Sequence, residues 1–88
     1  MMWTVVFEEE AKRDLKKLGV AERLRISIAI GERIAARENP RLIGEALSGR
    51  FKGLWKYRVG DYRIIAKIED QTITIYIIAI GYRSEVYR

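Results

Sequence analysis

The chain has 88 residues, 49% hydrophobic and 33% charged, which is typical of one small globular domain covering residues 1–88. It contains no cysteine and no histidine, which excludes a disulfide framework and removes the usual ligands of a zinc site. No apolar run approaches the ~20 residues of a membrane span and no signal-peptide pattern opens the chain, so we expect a cytoplasmic protein. The net charge is +5, and residues 50–88 carry eight Lys and Arg against four Asp and Glu, which favours a polyanionic partner for that half.

The first half of the chain predicts one strand and two helices. Trp3 to Phe7 is β-branched and aromatic, as in a strand. Glu8 to Leu18 predicts a helix with acids at its start and lysines at its end, stopped by Gly19. Val20 to about Arg37 predicts a longer helix, which ends at Pro40 because the residue before a proline disfavours helical geometry.

The longer helix carries one apolar row at helical spacing, which we expect to be buried. Two further isoleucines, Ile30 and Ile34, widen it. Within the row, Gly31 indicates a close approach of another element rather than a break. The row consists of Leu24, Ile28, Gly31 and Ala35.

A polar connection follows the helices. Leu42 to Leu47 is long enough for one helical turn. Ser48 to Gly53 is a glycine-flanked connection that carries two cations, Arg50 and Lys52.

A β-hairpin over residues 53–68 is the best-defined element of the sequence. Two alternating runs meet at Gly60-Asp61, and a two-residue turn fixes the register, which predicts that Arg58 lies opposite Arg63. Cross-strand partners share a face. The predicted apolar face holds Tyr57, Val59, Tyr62, Ile64, Ala66 and Ile68, and the opposite face holds Lys56, Arg58, Arg63 and Lys67.

The cationic face admits two interpretations. Like charges directly opposite each other destabilise a sheet by a few tenths to ~1 kcal/mol, and a phosphate held between two guanidinium groups would reverse that cost. Alternatively, the long side chains splay apart into solvent and cover apolar neighbours. The pairing alone leaves both open.

Asp70-Gln71 predicts a turn into a last strand, Thr72 to Ile80. A two-residue turn there would place Ile73, Ile75, Ile77 and Ala79 on the apolar face. It would place Thr74, Tyr76, Ile78 and Ile80 on the cationic side. Strict alternation would then turn Arg83 toward the helices, unless a bend or bulge at Gly81 returns it to the cationic face.

These elements predict an α+β fold in β-α-α-β-β-β order. Two N-terminal helices cover the apolar face of a small, mainly antiparallel four-stranded sheet, and the other face stays partly open.

The motifs Tyr57-Arg58-Val59-Gly60-Asp61-Tyr62-Arg63, Ile80-Gly81-Tyr82-Arg83 and Val86-Tyr87 resemble the RelE branch of the RelE/ParE toxin superfamily. The resemblance covers the whole chain. It implies the toxin of a type II toxin–antitoxin pair, with an antitoxin wrapped around it. It further implies an enzyme, an endoribonuclease that cuts mRNA in the ribosomal A site, with the RNA 2′-hydroxyl as nucleophile and no metal or cofactor.

The resemblance also assigns the site. The phosphate-binding and catalytic arginines fall on Arg63 and Arg83, a basic residue of the preceding strand on Lys56, and the C-terminal tyrosine on Tyr87. Tyr87 is the candidate general base, although an unperturbed tyrosine has a pKa near 10 and packing is its ordinary role. Lys56 is a better proton donor than an arginine. Further cations expected to bind RNA are Arg58, Lys52, Arg50 and Lys67.

Two other functions remain open from the sequence. One is a toxin of the ParE branch, which poisons DNA gyrase without cutting nucleic acid. The other is a basic RNA- or ribosome-binding module without activity. A full cationic set with a terminal tyrosine favours the nuclease, because an inhibitor that acts by docking has no chemical need for it.

Overall fold

The computed structural model describes residues 2–82. Two helical segments pack on one face of a five-stranded sheet, in the order β1-β5-β4-β3-β2. The α+β architecture and its strand–helix–helix–strand order are as predicted. The elements are β1 (Thr4–Phe7), α1 (Glu9–Lys16), α2 (Val20–Ala29) with a π-helical continuation (Ile30–Ala35), a 3₁₀ helix (Pro40–Ile43), β2 (Glu45–Ala46), a 3₁₀ helix (Gly49–Phe51), β3 (Trp55–Val59), β4 (Tyr62–Glu69) and β5 (Thr74–Tyr82).

The sheet has one more strand than predicted. The sequence allowed a helical turn over Leu42–Leu47, and the chain is helical there only up to Ile43. Glu45–Ala46 instead forms β2, which pairs antiparallel with β3 through Glu45 opposite Lys56. A two-residue strand carries too little pattern to be recognised from sequence. At the other edge β1 runs parallel to β5, with Thr4 opposite Thr74.

The β3–β4 hairpin has the predicted register. Arg58 lies opposite Arg63 and Val59 lies opposite Tyr62. Gly60 has a φ of +59°, a conformation that suits glycine at the first position of a tight hairpin turn. The predicted apolar side chains of both strands are buried or half-buried under the helices.

The register of β5 differs from the prediction. The connection after Glu69 has four residues instead of two, since Glu69 pairs with Thr74. A β-bulge follows: Ile65 opposes Ala79 whereas Ala66 opposes Ile77, which leaves Ile78 as the extra residue of β5. Beyond the bulge the two faces of β5 are exchanged relative to the prediction.

The bulge corrects two placements. Ile80, expected on the cationic side, lies opposite Ile64 and is buried in the core. Ala79, expected in the core, lies opposite Ile65 on the cationic side. The Ile80 amide, past the end of β1, donates a 2.9 Å hydrogen bond to Oδ2 of Asp14 on α1.

The second helix buries only part of the side predicted, with Ile30, Ile34 and Ala35 in the core as expected. Its core residues are Ile26, Ala29, Ile30, Ile34 and Ala35. Leu24 and Ile28, which head the predicted buried row, are 57% and 56% exposed. The helix is apolar on two sides, and its π-helical continuation breaks the 3.6-residue period on which the prediction relied.

The segment around the first 3₁₀ helix, Pro40–Ile43, packs against Tyr57 at the edge of the core. Tyr57 is 3% exposed, and its hydroxyl donates a 2.8 Å hydrogen bond to the carbonyl oxygen of Pro40. Gly44 passes so close to the Tyr57 ring that a Cβ there would lie 2.8 Å from a ring carbon. Arg41 makes a bidentate ion pair with Asp70. The Nη2–Oδ2 distance is 2.6 Å and the Nη1–Oδ1 distance is 3.0 Å, and the pair links this segment to the β4–β5 connection.

Candidate functional site

The sheet face opposite the helices carries the predicted cations of the hairpin. The β3–β4 register places Lys56, Arg58, Arg63 and Lys67 on this side, because side chains alternate along each strand. We call these four residues the cationic face. Successive same-face positions are about 6.6 Å apart along a strand, so the face extends about 13 Å from Arg63 to Lys67.

Two of the four cations are compensated by carboxylates. Lys56 Nζ lies 3.3 Å from Oε1 of Glu45, its partner across the β2–β3 ladder, and the Lys56 side chain is only 16% exposed. Lys67 Nζ lies 3.0 Å from Oε2 of Glu69, and this hydrogen-bonded carboxylate raises the pKa of the Lys67 ammonium. Glu45 is the residue of this surface that sequence reasoning missed, since it belongs to the unrecognised strand β2.

The two arginines are not compensated. Arg58 and Arg63 face each other across the hairpin, and within residues 2–82 neither forms an ion pair with a carboxylate. Arg58 is exposed, whereas the Nε–H of Arg63 is buried and has no hydrogen-bond partner in the described part of the chain. A buried donor without an acceptor is costly, and an anion lying against the sheet would satisfy it.

The end of β5 adjoins this arginine pair. Gly81 lies directly opposite Arg63, so the strand beside Arg63 presents no side chain at that level. The next residue, Tyr82, is 43% exposed, and its ring makes an edge-to-face contact with Tyr62 at 5.7 Å between centroids. The predicted catalytic residues Arg83 and Tyr87 lie outside the described residues.

The other two predicted RNA-binding cations lie away from the arginine pair. Arg50 and Lys52 belong to the connection between β2 and β3, at the end of the sheet opposite the Gly60 turn. The Arg50 guanidinium lies 5.1 Å from the ring centroid of Phe51. The role of Arg50 and Lys52 in RNA binding stays a prediction.

Metal-binding side chains do not cluster in this surface. Among residues 2–82 there is no group of three or more His, Cys, Asp or Glu side chains that could hold an ion. In the same range no helix is both long and apolar enough to cross a membrane.

A layer of helices lies behind a sheet whose open face presents two arginines that no carboxylate of residues 2–82 pairs with, which defines a small α+β protein suited to binding anions. The chain belongs to the ParE/RelE family of toxins: a family model described as the ParE toxin of type II toxin–antitoxin system, parDE, matches residues 5–87. It is also 33% identical to Toxin RelG of Mycobacterium tuberculosis, over 100% of this chain and 99% of that protein.

Solved structures agree with the family assignment. A chain of the toxin–antitoxin complex RelBE2 from Mycobacterium tuberculosis superposes with a TM-score of 0.87 at 26% identity, covering 97% of this chain and 95% of that one. The isolated RelE toxin of E. coli shares the fold, with a TM-score of 0.70 at 24% identity over 97% of this chain and 90% of that one. The predicted family and the RelE-like fold are thereby confirmed.

Proposed function

We propose that this toxin is a ribosome-dependent endoribonuclease that cleaves mRNA in the ribosomal A site and so inhibits translation in the cytoplasm. The observation that carries the proposal is the pair of facing arginines on the open side of the sheet, one with a buried N–H for which the described part of the chain offers no acceptor. A fold selected for stability alone gains nothing from this pairing, whereas a phosphodiester between the two guanidinium groups removes both costs.

The reaction proposed is an internal displacement within the RNA. The 2′-oxygen loses its proton and attacks the adjacent phosphorus. The bond to the 5′-oxygen of the next nucleotide breaks, and that oxygen takes up a proton. A 2′,3′-cyclic phosphate remains on one product. Arg63 and Arg58 stabilise the negative charge that builds up on the phosphate oxygens, usually the largest contribution in such reactions.

The remaining roles follow the family resemblance. Arg83 joins Arg63 on the phosphate, and Tyr87 removes the proton from the 2′-hydroxyl. Lys56 donates a proton to the leaving 5′-oxygen. The Glu45 carboxylate, at 3.3 Å from Lys56 Nζ, holds the ammonium in place on this face. The reaction requires neither a metal nor a cofactor.

The proposal is tested by mapping cuts in an mRNA after incubation in a translating extract. Primer extension should show cuts at codon positions with the wild-type toxin, and none when ribosomes are omitted. Arg63→Ala should lower the cleavage rate by about 10²-fold or more, the usual effect of removing a charge-stabilising donor. Arg13→Ala is the matched control, since Arg13 lies on α1, on the other side of the sheet. Equal loss in both variants, or cutting without ribosomes, would contradict the proposal.

A second candidate is a toxin that poisons DNA gyrase, the activity expected of the ParE branch. The family model favours it, because its description names the ParE toxin. The same extract separates the two functions: a stalled gyrase with intact mRNA supports the second candidate. Intact mRNA together with active gyrase would leave a ribosome-binding module without activity.

A further inference from the structure

Asp14 is a carboxylate in an unfavourable place on its own helix. It lies in the last turn of α1, where the negative end of the helix dipole disfavours an anion, and aspartate is a poor helix former. Within residues 2–82 it forms no ion pair. Its side chain is half-buried, and Oδ2 accepts a 2.9 Å hydrogen bond from the Ile80 amide on β5. The physical reason for an aspartate here therefore lies in its contact with β5.

The end of β5 has two possible registers on β4, which differ by one residue. In the structure, the bulge at Ile78 puts Ile80 opposite Ile64 and Gly81 opposite Arg63. If the regular pairing before the bulge continued, Ile80 would lie opposite Arg63 instead, since a shift of one residue exchanges the two faces of a strand. Its side chain would then stand beside the guanidinium, at the level where glycine has none. The bulge therefore keeps this side of Arg63 open to an anion.

The apolar side chains of β5 select only weakly between the two registers. Both registers place an apolar residue opposite Ile64 in the core, which is Ile80 with the bulge and Ala79 without it. Isoleucine buries more apolar surface than alanine, whereas a bulge leaves one residue unpaired and interrupts the ladder. These two effects oppose each other, so a contact from outside the strand can decide the register.

The hydrogen bond to Asp14 distinguishes the two registers. The N–H and C=O groups of successive residues in a strand point to alternate edges. The Ile77 carbonyl accepts a 2.9 Å hydrogen bond from the Glu8 amide, so Ile77 faces the β1 edge of the strand. In a regular strand Ala79 would face that edge next, and Ile80 would face β4. The extra residue of the bulge turns the Ile80 amide to the β1 edge, where β1 has already ended and Asp14 accepts its hydrogen.

We propose that Asp14 is a positioning residue for the phosphate-binding arginines. Its carboxylate holds β5 in the bulged register and so keeps Gly81, rather than Ile80, beside Arg63. Asp14 acts on the phosphate through the strand and not by contact, because α1 packs on the helix side of the sheet and the cationic face lies on the other side. The inference rests on the proposed function in taking the bound anion to be the RNA phosphate.

The test is a titration of the toxin with inorganic phosphate, followed by the NMR signal of the Arg63 Nε–H. Asp14→Ala should bind phosphate about tenfold more weakly than the wild type, the usual contribution of a hydrogen bond to a charged group. Asp14→Asn keeps an oxygen that can accept from the Ile80 amide, so it should regain most of this loss. Glu10→Ala is the matched control. It removes the same charge from an exposed position of α1 and should bind phosphate as the wild type does.

The register is read directly in the same samples. In Asp14→Ala, nuclear Overhauser contacts between the Ile80 side chain and Arg63 should appear as the strand shifts. Circular dichroism confirms that the variants are folded, which alanine favours in a helix. Unchanged phosphate affinity and unchanged pairing in Asp14→Ala would overturn the proposal. So would an equal loss of affinity in Asp14→Asn and Asp14→Ala, since the charge and not the hydrogen bond would then be responsible.

Cleavage assays keep this proposal separate from the nuclease proposal. Asp14→Ala should lower the single-turnover rate of mRNA cleavage and leave the ribosome concentration for half-maximal cleavage unchanged, because it alters the site and not the surface that docks. Asp14→Asn should restore most of the rate. A wild-type toxin that leaves mRNA intact would refute the nuclease, and the phosphate titration, which uses no RNA, would still decide the role of Asp14.

Discussion

Replacing Arg63 with methionine is expected to stabilise the fold while it abolishes RNA cleavage. Methionine keeps the length of the side chain without its charge or its N–H groups. The change removes the repulsion between Arg63 and Arg58, a few tenths to ~1 kcal/mol for directly opposite like charges. It also removes a buried Nε–H that has no acceptor among residues 2–82, a cost of about 1–3 kcal/mol.

Imperfect packing of the new side chain offsets part of this gain, by less than about 1.5 kcal/mol for a swap of similar volume. The net expectation is a gain of about 1–2 kcal/mol in the free energy of unfolding. For a domain of this size, each kcal/mol raises the melting temperature by about 4–8 °C. Arg58→Met is the control, because Arg58 is exposed and its removal relieves the repulsion alone.

Thermal unfolding followed by circular dichroism measures both variants, with and without inorganic phosphate. Phosphate should stabilise the wild type and have little effect on Arg63→Met, which has lost the guanidinium that binds it. A melting temperature of Arg63→Met below that of the wild type would refute the reasoning. An equal gain in Arg58→Met would show that the buried N–H contributes nothing.

Further predictions concern Tyr57, at the edge of the core, and the ion pair between Arg41 and Asp70. Tyr57→Phe leaves the carbonyl oxygen of Pro40 without its 2.8 Å hydrogen bond and should cost about 1–3 kcal/mol in urea unfolding. Burial raises the pKa of Tyr57 to about 12, so the wild type should lose stability as the pH rises from 10 to 12, and the phenylalanine variant should lack this loss. The hydrogen-bonded Arg41 lowers the pKa of Asp70. The stabilisation from this ion pair is therefore present above the ordinary aspartate pKa and is lost as the pH falls through the lowered pKa of Asp70. Melting curves recorded below about pH 4 should show this loss in the wild type and not in Asp70→Asn.

The register of the β3–β4 hairpin was predictable because a two-residue turn fixes which residues pair. With two residues in the loop at Gly60-Asp61, every pair from Val59–Tyr62 back to Trp55–Ala66 follows. The facing arginines, and hence the cationic face, came directly from that register.

The register of β5 was not predictable, because its turn is unusual. The β4–β5 connection ends at Ile73, whose φ of +49° lies in the left-handed region that β-branched residues rarely adopt. The residue types do not predict such a conformation. An isoleucine-rich strand also gives no sequence signal for the bulge at Ile78. These two features decide which side chains of β5 join the arginines.

The prediction of the buried side of the second helix failed in part, at Leu24 and Ile28, for a different reason. The sequence offers two apolar rows at helical spacing, one through Leu24 and Ile28 and one through Ile26 and Ile30. Periodicity does not distinguish which of the two rows is buried. The difference arises from the sheet, which covers one row and not the other. The sheet leaves Leu24 and Ile28 uncovered, so these two residues, predicted to be buried, lie on the surface.

The parallel pairing of β1 with β5 joins the first and the last strands of the described residues. Thr4 and Thr74, its opening pair, are separated by seventy positions along the chain. During translation β1 has no neighbouring strand until β5 has emerged, and closing so long a loop is entropically slow. The newly made toxin therefore completes its sheet only after β5 has been synthesised, which delays the appearance of a folded toxin in the cell that makes it.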